Sequence, residues 1–184
     1  MRQTASEFST YSRIPRAELE DGDLLDALRE VAEAYRDAEL EGVTCTFNAP
    51  SGTLQAKFDR RLLGRAVRNL LENALRASRS SDGQGRVELS LREILEGEGD
   101  SPTAVARIQV RDSGPGVDEG HLNRIFEPYF STHESGTGLG LAITRRIVEE
   151  HQGKISARNR PEGGLEVTIT IPILGDAKYS DREV

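Results

Sequence analysis

Apolar residues recur along this chain at two periods. At helical spacing, Leu24, Leu28, Val31 and Tyr35 line one side of 24–40, and Leu63, Val67, Leu70, Leu71, Ala74 and Leu75 line one side of about 60–78. A third helix starts inside a glycine run at 136–140, with Ile143 and Ile147 four apart and Leu139, Ala142 and Arg146 on nearby turns. Asp23 and Asp59 stand where an N-cap belongs, and Gly42 is placed to end the first helix. At alternating spacing, Val87, Leu89 and Leu91 predict a strand at 86–94, Ala104, Ala106, Ile108 and Val110 one at 104–111, and Leu165, Val167, Ile169 and Ile171 one at 165–171. Shorter extended segments are expected at 43–48, 53–58 and 154–159. Pro50-Ser51-Gly52 marks a turn between the first two, and Pro161-Glu162-Gly163-Gly164 marks one after the third.

The remaining stretches follow neither period for long. Phe8, Tyr11 and Ile14 recur at helical spacing until Pro15, which fits either the tail of a longer helix or a disordered leader. Residues 16–22 read as an acidic linker and 175–184 as a polar tail. Between 118 and 135, Leu122, Ile125, Phe126, Tyr129 and Phe130 cluster around Pro128 and give way to a polar end. That segment reads as a lid anchored by its aromatics, with a packed, immobile loop as the alternative.

Composition narrows the partners. A chain of 184 residues holds one domain plus extensions. Its net charge of -7 argues against nucleic acid, whose phosphates need a basic face. The single cysteine, Cys45, excludes an internal disulfide and fits a reducing compartment. No apolar run reaches membrane-spanning length. His121, His133 and His151 lack zinc-ligand spacing.

Three stretches carry candidate chemistry. Arg65, Asn69, Asn73 and Arg76 share one face of the 60–78 helix. Asparagine is a poor helix former unless its amide has a task, and Asn oxygens beside arginines suit a metal-bound polyphosphate. A solvated polar face is the plainer alternative. Asp112-Ser113-Gly114-Pro115-Gly116-Val117 ends a strand with an acid and a rigid glycine turn, where a carboxylate can accept from an exocyclic amine and a flat ring can lie close. The alternative is an ordinary strand loop. Gly136-Thr137-Gly138-Leu139-Gly140-Leu141 precedes a helix, so backbone N–H groups and the helix dipole can meet phosphate; alone, it fits a flexible loop equally well. Leu141 departs from the dinucleotide fingerprint, and no Gly-Lys-Ser/Thr triplet occurs.

In order and spacing, Asn69-Leu-Leu-Glu-Asn73-Ala, Asp112-Ser-Gly-Pro-Gly116, Phe126-Glu-Pro-Tyr-Phe130 and Gly136-Thr-Gly-Leu-Gly140-Leu resemble the N, G1, F and G2 boxes of sensor histidine kinases. The resemblance covers about 23–174. It implies an α/β two-layer sandwich (the Bergerat fold), a mixed sheet of about five strands with three helices on one face. It implies ATP and Mg²⁺ as ligands, with no other metal. By resemblance, Asn73 ligates Mg²⁺, Asn69 lies beside the phosphates and Arg76 reaches phosphate oxygens. Asp112 takes the adenine amine, and Gly114, Gly116, Val117 and Phe126 belong to the base pocket and lid. Gly136, Thr137, Gly138, Leu139, Gly140 and Leu141 face the phosphates, and Thr168 supports Asp112.

Glu7 to Pro15 and the brief lid are similar to nitrogen-regulation kinases of the NtrY type. The organisation expected is then the end of a dimerisation helix at 1–14, a linker at 15–22, the catalytic ATP-binding domain at 23–174 and a flexible tail at 175–184. The implied partners are a dimerisation and phosphotransfer domain and an NtrX-like response regulator, with the domain cytoplasmic and its parent an inner-membrane sensor. Two departures stand out. No His followed by an acid at a helix start is present, so a catalytic fragment is expected. His133 stands where the subfamily often has Lys or Arg, near the γ-phosphate. Related ATPases place a glutamate where Asn69 stands, and Asn cannot act as a general base, which favours phosphoryl transfer to protein over hydrolysis. An ATPase of this superfamily without kinase activity, or a nucleotide-dependent binding module, is the competing expectation.

Overall fold

A computed structural model describes residues 16–35, 42–79, 85–97, 102–131 and 137–174. The expected dimerisation-helix end, the polar tail, His133 and Gly136 lie outside the described residues. The elements run β1 (Glu20–Asp23), α1 (Leu24–Glu33), β2 (Val43–Asn48), β3 (Gln55–Phe58), α2 (Arg60–Ser78), β4 (Gly85–Glu96), β5 (Thr103–Asp112), α3 (Gly140–Glu150), β6 (Lys154–Asn159) and β7 (Leu165–Pro172).

Five strands form a mixed sheet in the order β2-β4-β5-β7-β6; β2 runs parallel to β4, and every other pairing is antiparallel. The strand alternation read from the sequence becomes the two faces of this sheet. Leu89, Leu91, Ala106, Ile108, Ile169 and Ile171 point to one face and are at most 1 % exposed. The buried sides of α1 and α2 and Val148 of α3 pack in the same core cluster. Each such buried Leu or Ile contributes roughly 1.5–3 kcal/mol relative to exposure. The architecture is the expected α/β sandwich, with three helices on one face.

Both predicted caps are made. Asp59 Oδ1 accepts from Leu62 N at 2.9 Å and opens α2. Asp23 Oδ1 accepts from Leu25 N and from Leu54 N, each at 3.0 Å, so one carboxylate caps α1 and fixes the approach to β3. His151, 2 % exposed, joins α3 to the start of α2: its Nε2 accepts from Asp59 N at 2.9 Å, and its Nδ1 lies 2.7 Å from the carbonyl of Ile147.

Three expectations change. Part of the stretch read as a linker is strand β1, which pairs antiparallel with β3 from Glu20↔Phe58 to Asp23↔Gln55. The turn Pro50-Ser51-Gly52 therefore leads β3 away from β2 and into a second, two-stranded sheet. That pairing buries Ala56 and Phe58, and Gly22 lets the Phe58 ring pass close to its backbone. Helix α1 stops at Glu33 rather than near 40, where Tyr35 N turns back to the Ala32 carbonyl at 3.0 Å. No described helix is long and apolar enough to cross a membrane.

Candidate functional site

A cleft of about 750 Å³ opens between the C-terminal half of α2, the start of α3, the ends of β5 and β7, and the 115–131 segment. Asn69, Asn73 and Arg76 all line it, because residues 3–4 apart repeat on one side of α2. Arg65 belongs to the same helical face but falls outside the cleft, which reaches only the second half of the helix. Leu70, Ala74, Ala77, Val110, Leu165 and Val167 give the cleft an apolar wall.

Asp112 closes one end of that wall and is 5 % exposed. Its Oδ1 accepts from Gly114 N at 2.9 Å and from Leu165 N at 3.2 Å. Its other carboxylate oxygen has no hydrogen bond among the described residues. Burial pushes the carboxyl above the ordinary carboxylate range, and the two backbone N–H groups and the Arg160 charge offset only part of that shift. A buried acceptor of this kind, against an apolar wall, suits a donor on a flat ring.

Gly114 is required by packing, since a Cβ there would stand 2.7 Å from the Ala77 carbonyl oxygen. Gly116 has φ +76°, and Val117 is held by Asn159, whose Oδ1 accepts from Val117 N at 2.9 Å and whose Nδ2 donates to Val117 O at 2.6 Å. Gly164, with φ +90°, presses against the Asp112 backbone, where a Cβ would collide with the carbonyl. Asn159 and Gly164 belong to a different hairpin, and their relation to Asp112 is fixed only by strand pairing.

The glycine run meets the lid. Gly138 has φ +66°, and a Cβ there would lie 2.5 Å from the Tyr129 carbonyl carbon. Tyr129 N donates to Gly138 O at 2.9 Å, and Tyr129 itself holds φ +65°. Helix α3 begins at Gly140, against Asn69: a Cβ on Gly140 would stand 2.6 Å from Asn69 Oδ1. Thr144 fixes that asparagine. Its Oγ1 accepts from Asn69 Nδ2 at 2.8 Å and donates to Gly140 O at 3.1 Å. Thr137, Gly138, Gly140 and Leu141 line the cleft.

Three expected site residues fall elsewhere. Thr168 is on the opposite face of the sheet from Asp112, where its Oγ1 accepts from Gln109 Nε2 at 3.3 Å, so Leu165 N rather than Thr168 supports the carboxylate. Phe126 is 8 % exposed and packs in the core; Ile125 and Phe130 face the cleft in its place. Leu139 turns a 4 % exposed side chain inward and can offer only backbone.

Other residues at the cleft carried no sequence signal of their own. His121 meets Phe130 in a tilted contact, ring centres 5.3 Å apart, and Arg124, outside the cleft lining, sits 4.8 Å over the same ring. Glu72 faces the cleft and accepts from the Tyr35 hydroxyl at 3.3 Å. Burial, then the Glu72 charge, pushes that phenol up to about 12, so it remains a donor. Among the described residues, no group of three His, Cys, Asp or Glu could hold a metal ion. Asn73 has no side-chain hydrogen bond among the described residues and presents a spare amide oxygen of the hard type Mg²⁺ prefers.

The chain is similar to known proteins in sequence and fold. Residues 58–175 match the family model described as histidine kinase-, DNA gyrase B-, and HSP90-like ATPase. The nitrogen regulation protein NtrY of Azorhizobium caulinodans is 34 % identical over 174 residues, which is 92 % of this chain and 21 % of that protein. The catalytic domain of the histidine kinase ThkA superposes with TM-score 0.71 at 30 % identity, covering 84 % of this chain and 95 % of that one. ThkA bound to the response regulator TrrA gives TM-score 0.73 at 27 % identity, over 93 % of this chain and 46 % of that one. Full-length ShkA in complex with AMPPNP gives 0.76 at 26 % identity, over 95 % and 35 %. The chain thus spans about a fifth of the curated relative's length.

Proposed function

The chain belongs to the histidine kinase-, DNA gyrase B-, and HSP90-like ATPase family, and from that premise we propose that it is the ATP-binding catalytic domain of a sensor histidine kinase. It passes the γ-phosphate to a histidine on a dimerisation domain, for relay to a response regulator. The similarity to NtrY supports an NtrX-like regulator and a cytoplasmic domain of a membrane sensor. The complex of ThkA with TrrA supports a regulator as partner.

The observation that carries the reading is the chemistry of α2 at the cleft. Asn69 stands there as an amide whose Nδ2 is committed to Thr144, so it has neither the basicity nor the freedom to deprotonate a water. The site positions a phosphate chain and leaves the nucleophile to come from elsewhere. Asp112 accepts the adenine amine, and Val110, Leu165 and Val167 flank the ring. Gly138 and Gly140 bring backbone N–H groups to the phosphates at the α3 N-terminus, where the helix dipole adds positive charge. Arg76 meets phosphate oxygens, and Asn73 supplies an oxygen to Mg²⁺. When bound, Mg²⁺ neutralises charge that builds on those oxygens.

The test is phosphotransfer in trans. The chain, incubated with Mg-ATP and a separately expressed dimerisation domain of a relative, is expected to place acid-labile phosphate on the acceptor and none on itself. Transfer will be weak, because effective concentration is lost. Steady release of inorganic phosphate with none on the acceptor would instead support an ATPase.

A further inference from the structure

The sheet face turned away from the helices carries its own order, visible once the strands are in register. One row across β4, β5, β7 and β6 is Glu88, Arg111, Glu166 and Arg158. Its charges alternate and pair: Arg111 reaches Glu88 at 3.5 Å and Glu166 at 2.6 Å, and Arg158 reaches Glu166 at 2.7 Å. Burial alone would raise the Glu166 carboxyl, but hydrogen bonds from Arg158 and Arg111 hold it below the ordinary range. The next row is neutral: Ser90, Gln109, Thr168 and Ser156.

Two residues further on, the row is Arg92, Arg107, Thr170 and Lys154. Arg92 and Arg107 are direct cross-strand neighbours of like charge, an arrangement that costs stability. Neither has an ion pair among the described residues. The acid that reaches this row is Glu96, whose Oε2 lies 3.2 Å from Lys154 Nζ. Thr170 lies between Arg107 and Lys154 and is only 7 % exposed. Its hydroxyl has no hydrogen bond among the described residues, although it borders a groove of about 510 Å³. In a chain with 31 acidic residues, a compensated row and a row whose two arginines have no ion pair among the described residues sit four positions apart on the same strands.

We propose that this groove binds a phosphate group, with the Arg107 guanidinium, the Thr170 hydroxyl and the Lys154 ammonium as its donors. Thr168 and Ser156 add hydroxyls at the rim. A guanidinium fork with adjacent hydroxyls and an ammonium is the donor set that phosphate oxygens take. The groove volume exceeds what a free ion needs, so the phosphate can be inorganic or carried on a small organic body. Glu96 competes for Lys154 and holds the site partly closed.

Two probes separate the sources: inorganic phosphate and ribose 5-phosphate, titrated into the whole chain and followed by amide chemical shifts. Saturable shifts are expected at Arg107, Thr168, Thr170 and Ser156, with ribose 5-phosphate the tighter ligand if the groove holds an organic body, and equal affinities if it holds the ion alone. Arg107→Gln should weaken binding at least tenfold and Thr170→Val threefold or more, while Glu96→Gln should strengthen it severalfold. Thr170→Val conserves shape and so remains informative should Arg107→Gln fold poorly. Shifts that do not saturate, that stay in the Asn73–Gly138 cleft, or that are unchanged in Thr170→Val and Arg107→Gln would overturn the proposal.

Discussion

Asp112 is the residue where folding and binding pull apart. Its carboxyl is held above the ordinary range by burial, so the folded state holds the proton more tightly than the unfolded chain does. Stability from this group is therefore complete below the ordinary carboxylate pKa and declines as pH rises through the raised value. Asp112→Asn removes that decline, and its amide oxygen can still accept from Gly114 N and Leu165 N. The variant is expected to melt higher than the wild type at pH 7, with the difference shrinking towards pH 4. Under the proposed function its ATP affinity should fall by about 1.5–3 kcal/mol, since an acceptor would be replaced by a donor facing the adenine amine. Paired melting curves and calorimetry measure both. A variant that binds ATP like wild type removes Asp112 from base recognition.

At the scale of elements, close approach decides most positions. Gly138→Ala puts a Cβ against the Tyr129 backbone at a φ that L-residues adopt at a cost of about 1–3 kcal/mol. The glycine loop and the aromatic lid would separate, and nucleotide affinity is expected to drop at least about tenfold by calorimetry. His151 is the counterpart between helices. His151→Phe leaves Asp59 N–H without its present acceptor and takes the ring donor from the Ile147 carbonyl, which keeps only the His151 backbone N–H, and should cost about 1–3 kcal/mol in urea unfolding at unchanged m. Because Asp59 also accepts from Glu18 N at 3.2 Å, that loss should loosen the entry of β1 as well.

Across the whole molecule, stability is uneven. The 118–131 segment is held by short turn bonds, such as His121 N to Asp118 O at 2.8 Å, and by Ile125 and Phe126 in the core. The α2 helix, by contrast, is bonded along 19 residues and buried on one side. Hydrogen exchange is expected to be faster in 118–131 than in α2 without nucleotide, and to slow there on adding Mg-ATP. Equal protection of the two in the free protein would remove the lid. The sheet divides the molecule into a face that builds the Asn69–Asp112 cleft and a face ordered by charge rows, so the two can be altered separately.

What the sequence determined was local. The helical period and Asp59 place α2 at about 60–78, and glycines before an apolar run mark the start of α3, because capping and periodicity act within a few residues. The order of the four motifs carried the family for the same reason. Alternation in 165–171 already sets Val167 and Thr168 on opposite faces, so that parity excludes Thr168 as a support for Asp112. Other features depend on residues far apart in the chain. Leu165 N reaches Asp112 across 53 positions, Thr144 fixes Asn69 across 75, and His151 meets Asp59 across 92. β1 leaves the linker for β3 because pairing there buries Phe58, an advantage that exists only once the core is formed. Strand register alone sets Arg107 beside Arg92 and Thr170, since a one-residue slip of β5 would send Arg107 to the other face and leave the other two behind.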